Sequence, residues 1–149
     1  MALQCIQNNI NINLCFSDLT SDTINFNLIK GLKIVFLNIR SLYKHKTEIE
    51  IFINQYNIDV LCLCETWISS KYSDIELHIN GCYLFRCDRV GRKGGGVAIY
   101  ARQTNKLVFN RLDINCDIDF ETLFLEVKQV KAKTFIIACL YRPPGTRPD

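Results

Sequence analysis

The stretch VLCLCETW, from Val60 to Trp67, is a run of five apolar residues that leads directly into a carboxylate. A short unbroken apolar run is typical of a strand that is buried on both faces of a sheet. An acidic side chain at the end of such a strand is costly inside the core unless it is paired or bound to a metal ion. Glu65 is therefore the first candidate functional residue of the chain.

Two other stretches repeat this arrangement of an apolar strand with a polar tip. Leu32 to Leu37, apolar except for Lys33, ends at Asn38. Phe135 to Leu140 is apolar throughout and ends at Tyr141. If the three strands lie side by side in one sheet, their polar tips gather at the carboxyl edge, where sites on such sheets tend to form.

The rest of the chain predicts one helix and several further strands. A helix from about Lys46 to Tyr56 is indicated by the capping-box spacing of Thr47 and Glu50 and by an apolar stripe at helical period. Because this helix lies between two apolar strands, the pattern predicts a β-α-β unit with parallel strands. The other predicted strands, of which the first two form a hairpin, are Tyr83–Cys87, Gly96–Ala101, Leu107–Leu112 and Leu123–Val127.

Composition and cysteine spacing exclude several classes of protein. With 149 residues, 48% of them hydrophobic and 22% charged, the chain has the size and balance of one soluble domain. The eight cysteines include no C-x-x-C pair, and there are only two histidines, so the pattern favours free thiols in a reducing compartment over disulfides or a zinc site. Without a secretory signal or a run of membrane-spanning length, the chain is predicted to be intracellular, nuclear or cytoplasmic, and not associated with a membrane.

The first thirty residues differ in composition from the rest. Residues 1–30 are rich in Asn, Asp, Ser and Thr, which predicts a poorly structured leader or linker with at most a short turn of helix. We therefore expect the folded domain to comprise residues 31–149.

A basic, glycine-rich segment joins the two strands of the predicted hairpin. Its cations can neutralise phosphates and its glycines let a backbone approach closely, which favours contact with a nucleic-acid backbone. The alternative is a solvated hairpin tip with a bulge. The residues concerned are Arg86, Arg89, Arg92, Lys93 and the run Gly94–Gly96.

Each candidate also has a plainer interpretation. Asn38 could simply cap a turn, and Glu65 could belong to a buried ion pair. Tyr141 could be a core aromatic residue with its hydroxyl at the surface. Trp67 is interpreted as a packing residue.

Four motifs in this order carry a resemblance to a known family. They resemble the N-terminal part of the apurinic-endonuclease-like domain of non-LTR (jockey-like LINE) retrotransposons, within the endonuclease/exonuclease/phosphatase superfamily. The resemblance implies an α/β (α+β) fold, the α-β-β-α sandwich of that superfamily. The motifs are GLKIVFLNIRSL (Gly31–Leu42), LCLCETW (Leu61–Trp67), YLFRCDRVGRKGGGVAIYAR (Tyr83–Arg102) and IIACLYRPPG (Ile136–Gly145).

The resemblance also implies roles for particular residues. Glu65 matches the acidic metal ligand, and Asn38 matches the asparagine that helps to position the metal and the scissile phosphate. Tyr141 matches the tyrosine beside that phosphate, and Arg40 and Arg142, next to the matched residues, are expected to contact nucleic acid. The implied cofactor is Mg²⁺, with Mn²⁺ as a substitute, weakly held here, and the implied partner is the phosphate backbone of DNA.

The chain departs from the family in two motifs. A Gly-Asp-x-Asn motif and a Ser-Asp-His motif, which supplies the histidine and aspartate that handle the attacking water, do not occur in the 149 residues. We therefore expect a truncated Mg²⁺-dependent DNA endonuclease domain, lacking the C-terminal half of the fold, inactive by itself and marginally stable because inner apolar residues of Phe135–Leu140 lose their cover. The alternatives are a catalytically dead remnant that binds nucleic-acid backbone weakly, and a phosphatase of the same superfamily.

Overall fold

The computed structural model describes residues 3–7, 10–14, 30–114 and 120–142, and it describes only the backbone in the first two of these ranges. The described residues form nine strands and one helix. Their bounds are β1 Leu3–Gln7, β2 Ile10–Leu14, β3 Ile34–Asn38, α1 Leu42–Tyr56, β4 Val60–Cys64, β5 Cys82–Cys87, β6 Val97–Arg102, β7 Leu107–Leu112, β8 Glu121–Gln129 and β9 Phe135–Tyr141.

The strands form two sheets that pack face to face. The larger sheet has the order β2-β1-β3-β4-β6-β5 and the smaller has the order β7-β8-β9. The parallel pairing of β3 with β4 confirms the predicted β-α-β unit, and the antiparallel pairing of β5 with β6 confirms the predicted hairpin. The other strand pairs are antiparallel.

Strand β4 is buried on both faces, as its unbroken apolar sequence predicts. Side chains alternate between the two faces of a strand, so β4 contributes to two separate cores. Leu61 and Leu63 belong to the core beneath α1, whereas Cys62 and Cys64 belong to the core between the sheets. The described chain thus has three layers, the helix and two sheets, which confirms the predicted α/β sandwich.

Helix α1 begins earlier than its capping signal indicates. It starts at Leu42 instead of Lys46, and His45 inside it has non-helical backbone angles, with φ −108° and ψ 16°. The backbone N–H of Leu42 donates to the carbonyl of Thr66 at 2.8 Å, so a contact with the segment after β4 supports the first turn.

Three expectations from the sequence are wrong. Leu3–Gln7 and Ile10–Leu14 are strands at the edge of the larger sheet, where the sequence predicted at most a short turn of helix. The alternation of Ile and Asn in Ile10–Leu14 suits a strand, and residues 15–29 lie outside the described residues. Strand β9 belongs to the smaller sheet and does not lie beside β3 and β4. Its inner residues Ile137 and Cys139 are buried against β4 and keep their cover.

A membrane-spanning helix, which needs a long apolar segment, is not found among the described residues.

Candidate active site

Glu65 lies directly after β4, at the edge of the sandwich where β3 also ends. Its Oε2 accepts the indole Nε1–H of Trp67 at 2.5 Å and the backbone N–H of Gly95 at 3.1 Å. Its Oε1 accepts the hydroxyl of Tyr141. Donors from the β4 end, the glycine-rich loop and the smaller sheet therefore fix the orientation of one carboxylate.

The backbone around Glu65 has an unusual conformation. Glu65 and Trp67 have φ angles of 57° and 54°, in the left-handed region that is uncommon for residues other than glycine. Backbone hydrogen bonds hold this segment in place. The N–H of Thr66 donates to the carbonyl of Gly96 at 3.2 Å, and that of Trp67 donates to the carbonyl of Gly95 at 2.8 Å. Strained residues of this kind concentrate at functional sites.

Asn38 reaches the same edge from β3. In the parallel register it lies opposite Cys64, the residue before Glu65. It shares a face of β3 with Ile34 and Phe36, which pack against the core between the sheets. Its Oδ1 is buried and has no hydrogen-bond partner among the described residues, which is rare for a buried acceptor and calls for an explanation.

The structure therefore brings Glu65 and Tyr141 into contact and places Asn38 at the same edge. The two strands that carry Glu65 and Tyr141 approach from different sheets, not from one sheet as the sequence suggested. Their tips meet because the sheets pack face to face.

A second carboxylate lies close by, at the start of β8. The Oε1 of Glu121 accepts the Nε–H of Arg89, and its Oε2 accepts the backbone N–H of Gly96 at 2.5 Å. The side chains of Arg89 and Glu121 are only 15% and 13% exposed, so the pair is largely removed from water. The Arg89 guanidinium lies 6.0 Å from the ring centre of Tyr141, and its Nη2 is buried without a partner in the described part of the chain.

The glycine run packs against these side chains. Gly94, Gly95 and Gly96 all have positive φ, between 68° and 82°. A Cβ on Gly95 would collide with the guanidinium of Arg89, and one on Gly94 would lie 3.6 Å from Oε2 of Glu65. Glycine is thus required because the loop passes directly over the candidate site.

The remaining predicted basic residues occupy different surroundings. Arg86 is engaged within the protein, pairing with Asp74 at 3.3 Å and with Asp88 at 3.4 Å. Arg40 and Arg142 are exposed at the ends of β3 and β9.

A cleft lined by positively charged residues opens beside Glu65. Arg92 and Lys93 line it together with Arg89, Lys71 and Trp67, and its volume is about 670 Å³. We call this the basic cleft. A larger open cleft, of about 830 Å³, lies at the opposite end of the sandwich, where β3 and β4 begin.

Two residues of the candidate site are not evident from the sequence. Trp67, expected to be a packing residue, is 48% exposed and donates a hydrogen bond to Glu65. The other is Glu121, which stands 32 residues from its partner Arg89. The local signal for Glu121 is its position as an acidic residue at the start of β8, a strand whose apolar residues alternate.

The thiol next to Glu65 is not a nucleophile at neutral pH. Burial, reinforced by the negative charge of Glu65, raises the pKa of Cys64 to about 12. A thiol with so high a pKa stays protonated and is chemically inert. Cys64 and the other described cysteines are free.

The donor atoms at this edge fit a hard divalent cation. No set of three or more His, Cys, Asp or Glu side chains in the described ranges could form a metal site by itself. One carboxylate, from Glu65, and one unpaired amide oxygen, from Asn38, are nevertheless the ligand set that Mg²⁺ accepts, since this ion keeps several waters and takes further oxygens from a substrate phosphate. Glu65 retains acceptor capacity for this, because a carboxylate has about four lone-pair sites and three are used.

The sandwich and its polar edge agree with one family of known proteins. The family model described as the Endonuclease/Exonuclease/phosphatase family matches residues 25–147. The chain belongs to this family, whose enzymes generally use divalent metals. Among curated proteins, no significant sequence match to this chain was found.

Proposed function

We propose that this chain is part of a Mg²⁺-dependent DNA endonuclease domain of a non-LTR retrotransposon and binds the metal and the scissile phosphate. The observation that carries the proposal is the meeting of three polar tips at one edge. Glu65 is held by Tyr141 from the other sheet, and Asn38 beside them has a buried amide oxygen without a partner among the described residues. Because the family acts on phosphate esters, this edge is the natural place for the phosphate.

Each residue has a role that follows from its chemistry. Glu65 and Asn38 would hold Mg²⁺, which when bound stabilises the charge on the phosphoryl oxygens and the leaving oxygen. Tyr141 keeps the Glu65 carboxylate in position through its hydroxyl. Arg89 has one buried N–H group without a described partner beside Tyr141, which suits a phosphate oxygen.

The 149 residues alone are proposed to bind the metal ion and DNA without hydrolysing the phosphodiester bond. Hydrolysis needs groups that align and deprotonate a water, and the two motifs that would supply them are absent from the sequence. Losing such groups lowers the rate by orders of magnitude, since they act as a unit. The second candidate is a catalytically dead remnant that at most binds nucleic-acid backbone weakly through the basic, glycine-rich segment.

Binding of DNA in the presence of metal tests the assignment of the site. Fluorescence anisotropy of a labelled duplex is measured with the wild type, Glu65→Gln, and Glu76→Gln, which removes an exposed carboxylate elsewhere. We expect Mg²⁺ to tighten binding by the wild type and by Glu76→Gln but not by Glu65→Gln. Equal enhancement in all three proteins would contradict the proposal.

A nicking assay tests whether the 149 residues alone can cleave DNA. Supercoiled plasmid is incubated with Mg²⁺ and each protein, and we expect no nicking above that of the protein-free control. Nicking by the wild type that disappears in Glu65→Gln would show that these residues are active by themselves. That result would overturn the proposed inertness while supporting the site.

A further inference from the structure

Trp67 occupies a position that packing does not explain. It is half exposed in a chain that has only one tryptophan, and it has a left-handed backbone with φ 54°. A bulky residue adopts that conformation only when the surroundings impose it, and here the bond from its N–H to Gly95 at 2.8 Å does so. The backbone therefore holds a large flat ring at the surface.

The indole is joined to the candidate metal ligand. Its Nε1–H donates to Oε2 of Glu65 at 2.5 Å, which fixes the ring edge toward the site. Trp67 also lines the basic cleft, together with Lys71, Arg92 and Lys93. All three of these cationic residues are exposed.

We propose that Trp67 is a stacking platform for an unpaired nucleobase next to the scissile phosphate, so that the substrate is a nucleic acid with an unstacked nucleotide at the cleavage point. This inference rests on the proposed function and specifies its substrate class. An aromatic face between cations is the arrangement by which proteins bind single-stranded or extruded nucleotides, since the ring takes the base and the cations take the flanking phosphates. A cleft of about 670 Å³ falls within the range of small-ligand sites, which is roughly 300–1,000 Å³.

A base within a continuous duplex offers only its edges, because both of its faces are stacked on neighbours. A single-stranded, mismatched or terminal nucleotide presents a free face at a small energetic cost. The site is therefore expected to prefer such substrates over intact duplex.

Tryptophan fluorescence tests the inference directly, because Trp67 is the one tryptophan of the chain and can be excited at wavelengths that its six tyrosines do not absorb. The full chain is titrated with a short oligothymidylate and with an abasic oligomer of the same length and charge. We expect quenching with the oligothymidylate and little with the abasic oligomer. Equal quenching by both would mean that the ring senses charge alone, and the inference would be wrong.

Substitutions separate stacking from the positioning of Glu65. Trp67→Phe keeps an aromatic face but loses the N–H donor, and Trp67→Leu loses both. By anisotropy, we expect Trp67→Leu to bind the oligothymidylate about tenfold more weakly, Trp67→Phe to retain most of the affinity, and the abasic oligomer to bind all of these proteins alike. The control is Tyr83→Leu, which removes a similarly exposed aromatic, at 49%, outside the cleft and should change neither affinity.

The Trp67 titrations and the Mg²⁺-dependent binding of DNA together distinguish failure of this inference from failure of the proposed function. If Mg²⁺ still enhances DNA binding through Glu65 but Trp67→Leu binds both oligomers as the wild type does, only the stacking role fails. If neither oligomer nor duplex binds in a Glu65-dependent way, the proposed function itself fails, and the inference fails with it.

Discussion

Substituting Gly95 by alanine should test how tightly the glycine loop is locked over the site. Gly95 has φ +68°, and an added Cβ would collide with the guanidinium of Arg89. The backbone alone costs about 1–2 kcal/mol, the usual penalty for an L-residue in the left-handed region. The flexible Arg89 side chain could otherwise move away from the new Cβ, but it is held by the largely buried carboxylate of Glu121. Breaking that charged hydrogen bond adds about 1.5–3 kcal/mol.

The chain provides a matched control for the backbone penalty. Gly91, in the same loop, has φ +78°, and a Cβ there would meet nothing within 4 Å. Gly91→Ala should therefore lose only the backbone contribution, so that Gly95→Ala is destabilised by about 2 kcal/mol more than Gly91→Ala.

Urea denaturation followed by circular dichroism measures the free energies of unfolding. In an Arg89→Ala background the collision is absent, and we expect the cost of Gly95→Ala to fall to that of Gly91→Ala. Equal costs of the two glycine substitutions in the wild-type background would refute the reasoning. So would a Gly95→Ala cost that does not depend on Arg89.

Three further predictions follow from buried polar groups. Burial raises the pKa of Cys64 to about 12 from its ordinary value of 9.0, so above pH 9.0 the native state retains a proton that the unfolded chain loses. The free energy of unfolding, measured by urea denaturation at each pH, should therefore decline between pH 9.0 and pH 12, and less steeply in Cys64→Ala. Tyr100→Phe should lower the free energy of unfolding by about 1–3 kcal/mol, because the buried hydroxyl donates to the carbonyl of Leu77 at 2.6 Å, whereas the exposed Tyr83→Phe should change it little. Arg102→Ala should cost about 1.5–3 kcal/mol by the same assay, since Arg102 donates at 2.6 and 3.0 Å to two carbonyls around the end of α1, and an unchanged midpoint would contradict this role.

Much of the fold follows from local sequence patterns. Strand β4 is predictable because five apolar residues in a row leave no solvent-facing side, and the stripe on α1 is predictable because its buried residues recur at helical period. The bounds of β7 and β9 agree with the prediction. Period and composition act within one element, so they locate strands but do not assign them to sheets. For this reason β9 was wrongly placed beside β3 and β4.

The candidate site was predictable in part for the same reason. Glu65 and Tyr141 stand out as polar tips of apolar strands, and the structure brings them into contact. Trp67 and Glu121 were missed because their roles depend on partners supplied by tertiary structure. A left-handed backbone exposes Trp67, and a loop 32 residues away brings Arg89 to Glu121.

Calorimetric titration with Mn²⁺, used in place of Mg²⁺, tests most directly whether the tips of β3 and β4 form a cation site. The titration compares the wild type with Glu65→Gln, Asn38→Ala and the exposed-site control Glu76→Gln, each checked for folding by circular dichroism. We expect the wild type and Glu76→Gln to bind one ion per chain, Asn38→Ala to bind more weakly, and Glu65→Gln to show no binding. Folded Glu65→Gln that binds Mn²⁺ as the wild type does would contradict the account.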